Sequence, residues 1–528
     1  MAAIITDQIR ILNAKTFLKE ITDPDKSYYV FVGLTNPFDY DIRWDINPPP
    51  PKDSFEQENT YWDTMVSLKR VKNEDVKQVI RRIDWTSAII YDMYRNNIDR
   101  TNRASQSDAT SLYSSNYYVM NSDYRVYICL QNGSDPENPN GRPSLDEPRF
   151  TDLEPRAAGS SGDGYIWKYL YTISPADVIK FDSTNYIPVP RDWETYSDAS
   201  PIRSNAINGG QLKTIVIQDR GQNLGQPNVV YPRVPIKGDG DGALATIVVN
   251  NNSQVESITV SNGGNGYTFG TVDLEAGGFP TGEGRDPVFE VVIPPKGGHG
   301  YDIYRELGAS TVLVYSRIEN DNQDPDFIIG NEISRIGIVA NPESFGTNSV
   351  LTKDKASSVN AIKFATGSYE TANFPADTII TQTVGLGSTA VGRVISFDKV
   401  TGVLKYWQDK TKTGFNTDGS SNPSAEYGFY LNKFTSNPQN LNEINGGSFN
   451  IVGQNSTVAI DTSFGSLLNP GISTVINNRN YFLGQTFIKG ISDPEVKKYS
   501  GDIIYVDNRP PITRSQNQKE DIKVILQF

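Results

Sequence analysis

The only histidine of the chain, His299, stands in the run GGHGYD, and general acid–base chemistry would have to begin there. A Ser-His-Asp site would also need a nucleophile on a sharp turn, and the sequence has no G-x-S-x-G elbow. The expected role of His299 is packing between two glycine turns. One histidine and one cysteine are too few for the common zinc sites. Asp239 and Asp241, in GDGDGA (238–243), could together touch a calcium ion, but the acidic ladder of a calcium loop is missing. GDGDGA and GGNGYTFG (263–270) look like phosphate loops only in glycine content. Neither ends in Gly-Lys-Ser/Thr or opens a helix after a buried strand, so turn chemistry is expected of both.

Glycoside hydrolysis needs only two carboxylates at a set separation, and Asp321 with Asp324 or Asp493 with Glu495 supply such pairs. Among 62 acidic residues the sequence selects no pair, and a solvated surface is the expectation. Cys129, within VYICL, reads as a small buried hydrophobe, because nothing near it in sequence would stabilise a thiolate. The basic stretches 69–82 and 95–103 (RNNIDRTNR) could meet phosphates. Their interleaved acids favour salt-bridged surface or a subunit contact. No catalytic, cofactor-binding or metal-binding residue is therefore assigned.

The elements behind these residues are mostly strands. SYYVFVGL (27–34), 117–119, 125–130 and 165–173 carry the aromatic and β-branched content of strands. Ile4, Ile5, Ile9, Leu12, Phe17, Leu18 and Ile21 recur at loose helical spacing, which predicts an N-terminal amphipathic helix. NEDVKQVIRR (73–82) predicts a short helix, with Asn73 as cap, acids at its start and arginines at its end. Pro48–Pro51 can be neither helix nor central strand. In GDGYIWKYLY the residues Tyr165, Trp167, Tyr169 and Tyr171 alternate with Ile166, Lys168 and Leu170, so one strand face would carry the aromatic rings.

At 528 residues the chain is long enough for several cores, and 28 Tyr with 22 Phe would supply much of their burial. A net charge of −13 argues against a general nucleic-acid binder. No apolar run is long enough to span a membrane, and the start lacks the pattern of a signal peptide. With a single cysteine there is no disulfide framework, so folding in a cytoplasm is expected.

Residues 205–295 are rich in Gly and Asn, almost free of aromatics, and repeat at a spacing of 43. LKTIVIQDRGQNLG (212–225) matches VESITVSNGGNGYT (255–268), pairing Ile215 with Ile258, Ile217 with Val260 and Gly221 with Gly264. Farther on Val229 pairs with Val272, and Val248 and Val249 with Val291 and Val292. One small sandwich or roll is expected, as an inserted domain. Residues 360–475 alternate well around turns at Gly385–Gly387 and Asp398–Gly402, which suggests a small barrel; the loop 409–426 reads as mobile. The chain ends in two strands around Pro510-Pro511, the last alternating Ile522, Val524, Leu526 and Phe528 with polar residues.

Three blocks resemble the wedge subunit of T-even-type contractile phage tail baseplates. The first joins NPF to PPPPKDS (48–54), YWDTMVSLKRV (61–71) and VIRRIDW (79–85). The second is VYICL (126–130) with GDGYIWKYLYTISP (162–175) and YIPVP (186–190). The third is SGDIIYVDNRPPI (500–512), running on to the final strand. The resemblance covers about half of the chain, and 205–295 and 360–475 look like the insertions of enlarged forms in phages of marine cyanobacteria. It implies a mainly β, multidomain fold with minor helix. Residues 1–204 would form the N-terminal and middle module, 296–359 a further family-like segment, and 476–528 strands closing the core against the N-terminal part. It also implies a homodimer, contacts with other wedge subunits, and residence in the virion after assembly in the host cytoplasm. In that setting Arg509, before two prolines, would offer a planar clamp to the terminal strands or a neighbour. Two readings of other classes stand beside it. One is a receptor- or glycan-binding module built on 205–295, weakened by the lack of Trp there. The other is a tail-associated polysaccharide hydrolase.

Overall fold

The computed structural model describes residues 5–34, 47–209, 211–282, 284–321, 324–325, 332–385, 388–408, 433–437, 450–468, 471–476, 479–513 and 518–528. The NPF run, the tip of the Gly385–Gly387 turn, Ile4 and the loop 409–426 lie outside these residues. The chain is mainly β, with several sheets and few helices. It divides into two compact units: residues 1–18, 76–314 and 524–528, and residues 19–75 with 315–523.

In the first unit the strands Tyr118–Met120, Arg125–Asn132 and Tyr165–Thr172 form an antiparallel meander. Its core holds Tyr117, Tyr127, Cys129, Tyr165, Trp167 and Trp193, all buried. The aromatic alternation of 165–171 breaks part-way. Register shifts oppose Tyr127 to Tyr169 but Val126 to Tyr171, so Leu170 is an extra residue. Beyond that bulge Leu170 and Tyr171 are both buried, and Lys168 is buried ahead of it.

The helix expected over 73–82 is replaced by a single 3₁₀ turn, Asn73–Asp75, and a strand, Val76–Arg81. The acids do start a turn, with Asp75 accepting from the Lys72 amide at 3.3 Å. Past it Val76, Val79 and Ile80 are buried between the strands beginning at Thr311 and running Tyr186–Pro188. Two-sided burial and β-branched content override the capping pattern. The N-terminal helix forms over Asp7–Ile21, but it buries Ile11, Ala14, Leu18 and Ile21. Ile9 and Leu12 face solvent on its opposite side, 47% and 60% exposed, and Ile5, just ahead of the helix, is 61% exposed. Phe17 meets Phe528 of the C-terminal strand at 5.6 Å between ring centres, which ties that end of the chain down.

Residues 212–293 form two sheets around one core. Four strands run in the order Val255–Asn265, Asp241–Val249, Val230–Gly238 and Gly270–Val272; Thr214–Asp219 pairs with Val288–Val292. The repeat maps onto equivalent positions. Ile215 and Ile258 are buried, and Gly221 and Gly264 both have positive φ, +68° and +60°. A Cβ there would lie 2.6 Å from Arg285 O or 2.5 Å from Asp241 O, so only glycine fits these turns.

The second unit carries a five-stranded sheet in the order Lys355–Ser357, Met65–Arg70, Tyr28–Leu34, Glu332–Ala340 and Asp502–Thr513. Pro510 and Pro511 do not bend two strands apart. They lie inside the edge strand at a bulge, where Asn508 and Ile512 oppose Arg335 and Ile333. Edge position and bulge are where missing amide donors are tolerated. The strands Thr457–Ala459, Asn450–Val452, Ile379–Gly385, Ser388–Asp398, Val403–Trp407 and Asn360–Lys363 follow one another in a further sheet. A bridge between Phe364 and Ile460 joins the last of these to the first, with Asp461 N to Lys363 O and Ala365 N to Ala459 O at 2.8 and 2.9 Å. The ring therefore closes as a six-stranded barrel, filled by Phe364, Phe374, Ile380, Val394, Leu404, Tyr406 and Ile451.

Candidate functional site

His299 is 6% exposed, and its Nδ1 lies 2.6 Å from Glu306 Oε1. The other carboxylate oxygen of Glu306 accepts the Gly300 amide at 2.7 Å. The imidazole meets the Tyr94 ring edge-on, 4.8 Å between centres. Gly297, Gly298 and Gly300 all have positive φ, which folds the loop around the ring. His299 is thus held by Glu306 and Tyr94 in the wall of the first unit, and among the described residues no Ser, Thr or Cys side chain hydrogen-bonds to it.

The other sequence candidates divide by location. Asp239 is taken up by the facing glycine turn, accepting from Thr268 Oγ1 at 2.5 Å, Thr268 N at 2.8 Å and Phe269 N at 3.3 Å. Those bonds, the Thr268 hydroxyl first, pull its acid constant down to about 2. The same bonds staple GDGDGA to GGNGYTFG, as turns. Among the described residues no cluster of three or more His, Cys, Asp or Glu could hold a metal ion. Asp321 and Asp324 are register partners in one strand pair, and their side chains lie outside the described residues. Asp493 and Glu495 do line one cavity of about 560 Å³ in the second unit, with Phe345, Phe434 and Ile488. Each is matched by a lysine: Lys433 at 3.5 Å from Asp493, and Lys353 at 2.6 Å from Glu495. Glu495 also accepts the Ser357 amide at 2.9 Å, so it fastens the sheet beside it. Cys129 is fully buried, and burial pushes its thiol well above the ordinary range.

The basic stretches are largely engaged within the chain. From Lys69 to Arg82 every cation has an intrachain partner, including Asp354 for Lys72, Asp177 for Lys77, and Asp84 with Asp182 for Arg82. In RNNIDRTNR, Arg95 lies 3.6 Å from Glu290, Asn97 donates to the same carboxylate at 2.8 Å, and Asn96 accepts the Ile293 amide at 3.1 Å. Arg220 adds Asp135 and Glu137 from the other direction, at 3.3 and 2.9 Å. These contacts fasten the two-sheet module of residues 212–293 within the first unit. No family model and no curated protein matches the chain.

The three blocks behind the sequence resemblance are used heavily by the fold. The second supplies the meander of the first unit. The first and third meet in the second unit, at Arg335, a residue 1% exposed that sequence reading passed over. Its guanidinium lies 4.8 Å from the Tyr61 ring centre, donates to Thr64 Oγ1, and donates to Asn508 Oδ1 at 2.9 Å. Asn508 Nδ2 in turn donates to Pro49 O at 2.9 Å. Asp63 receives the Tyr499 hydroxyl and, through its carbonyl, Lys498 Nζ at 3.2 Å. Within this chain Arg509 forms a local pair, with Nε 2.6 Å from Asp507 on an exposed edge. The only sequence signal for Arg335 was a charge inside an apolar alternating run, EISRIGIVA.

Proposed function

We propose that the chain is a structural subunit of a contractile phage tail, a baseplate-wedge protein of the T-even type that works as a homodimer through its interfaces. The observation that carries this reading is the N-terminal helix, apolar on two opposite sides. One side is used within its own fold. The other presents Ile9 and Leu12, three residues apart, with exposed Ile5 just ahead of the helix, an apolar surface that matches a partner helix or groove. A second copy is the occupant that the resemblance implies, and the packing of its N-terminal block against its C-terminal block supports the same family reading.

The test is the mass of the purified protein in solution. Burying each of these side chains contributes about 1.5–3 kcal/mol, or about tenfold to a hundredfold in dissociation constant. Light scattering should give a dimer for the unaltered chain. It should give a monomer with unchanged circular dichroism for the double variant Ile9→Lys, Leu12→Lys. A monomer across micromolar concentrations for the unaltered chain overturns the homodimer, and an unaffected dimer in the double variant removes the helix from the interface.

A further inference from the structure

A cavity of about 430 Å³ opens in the first unit, lined by Tyr94, Tyr113, Tyr301, Lys296, Arg305 and Gln8 among others. Small-molecule sites typically run to about 300–1,000 Å³, so its size suits a monosaccharide or a slightly larger ligand. Its aromatic walls are fixed in place. Gly297 leaves room for the Tyr301 ring, whose Cδ1 a Cβ would meet at 2.3 Å, and Gly308 does the same for Tyr113 at 2.5 Å. Arg203 covers Tyr301 at 5.1 Å, Tyr113 donates to Arg305 O at 2.6 Å, and Tyr94 is braced by the His299–Glu306 pair.

The polar groups around those walls are left open. Tyr94 is 4% exposed, yet its hydroxyl makes no hydrogen bond among the described residues, and burial raises its acid constant. The hydroxyl oxygen reaches the open space of the cavity, where an entering polar group can bond it. Lys296 and Arg305 form no ion pair among the described residues, and the side chain of Gln8 makes no hydrogen bond there. Asp302 lines the same space, with one carboxylate oxygen accepting the Arg305 amide at 3.2 Å.

We propose that this cavity binds an acidic sugar, a pyranose carrying a carboxylate or a phosphate. Tyrosine faces pack against the C–H face of a pyranose. Gln8, Asp302 and the Tyr94 hydroxyl answer its hydroxyls, and Arg305 with Lys296 answers its anion, Arg305 by a two-pronged fork. His299 and Glu306 act as positioning residues behind Tyr94. The site is independent of the tail-subunit reading and lies outside the 212–293 module.

The test is titration calorimetry on the full chain with D-glucuronate, D-glucose 6-phosphate, D-glucose and adenosine monophosphate. Either acidic sugar should bind at least about tenfold more tightly than glucose, since a hydrogen bond to a charged group is worth about that factor. The preferred acid identifies the anion. The double variant Lys296→Ala, Arg305→Ala alters exposed residues and should abolish the preference. Tyr94→Phe should weaken both acidic sugars about tenfold. Absence of binding by either acid, equal binding of glucose, or tighter binding of the nucleotide overturns the proposal.

Discussion

Replacing Arg335 by alanine should unfold the second unit more easily than any surface change. The guanidinium contributes hydrogen bonds to Thr64 and Asn508 and a buried contact with Tyr61. A hydrogen bond to a charged group is worth about 1.5–3 kcal/mol, and a desolvated cation–π contact about 2 kcal/mol. Removing the cation also returns its own burial cost, which brings the net loss to about 3–5 kcal/mol. For a unit of this size that corresponds to a fall in melting temperature of about 10 °C. Urea unfolding followed by tryptophan fluorescence reads the right place, because Trp62 is 1% exposed and its ring lies tilted, 6.4 Å from that of Tyr499, in the same packing. Arg335→Lys keeps the charge without the fork and should recover only part of the loss. A loss below about 1 kcal/mol in Arg335→Ala would refute the claim that this residue locks the N- and C-terminal blocks.

Two further outcomes follow from buried groups in the first unit. Lys168 is 2% exposed, donates to Leu153 O at 2.6 Å and to Asn205 Oδ1 at 3.1 Å, and burial lowers its acid constant from 10.5 to about 8. Below pH 8 the folded state carries the full cost of a buried cation. Between pH 8 and 10.5 the unfolded chain binds the extra proton, so stability rises with pH there by about 3 kcal/mol in total. Chemical denaturation at pH 7 and 9.5 should show this rise in the unaltered chain and its absence in Lys168→Met; identical slopes would remove Lys168 as the cause. Cys129 should resist alkylation at pH 8 in the native protein and react once denaturant opens the meander, as followed by mass spectrometry. Fast native labelling would mean that the strand is not shielded.

Much of the architecture could be read from residue order, because it rests on local signals. Alternating β-branched and aromatic runs marked Tyr28–Leu34, Arg125–Asn132 and the two-repeat module, and positive-φ glycines recur at its paired turns. The signals that misled were also local. Asn73 and its acids do begin a turn, but the partners that turn Val76–Arg81 into a strand come from residues 186 and 311 onward. The N-terminal helix was legible as a helix, whereas the side it buries was not, since both sides are apolar. Bulges at Leu170 and at the proline pair shift facing in ways that period-two counting cannot see. At the sites the limit was distance along the chain. Nothing near Asp493 announces Lys433, nothing near Arg95 announces Glu290, and Tyr94 and Tyr301 share a cavity although they stand 207 positions apart. Arg335 is the plainest case, a charge whose three partners come from residues 61, 64 and 508.

The edge strand Asp502–Thr513 has a consequence for how identical chains meet at high concentration. A long open sheet edge is a template for runaway pairing with identical chains. Here the register slips once at Ile504 and again across Arg509–Pro511, and Tyr505–Asn508 is the longest regular stretch. A visiting strand could therefore add over no longer a stretch than that, and the paired prolines offer it no amide donors beyond. Identical chains at high concentration are thereby kept from polymerising through this sheet edge.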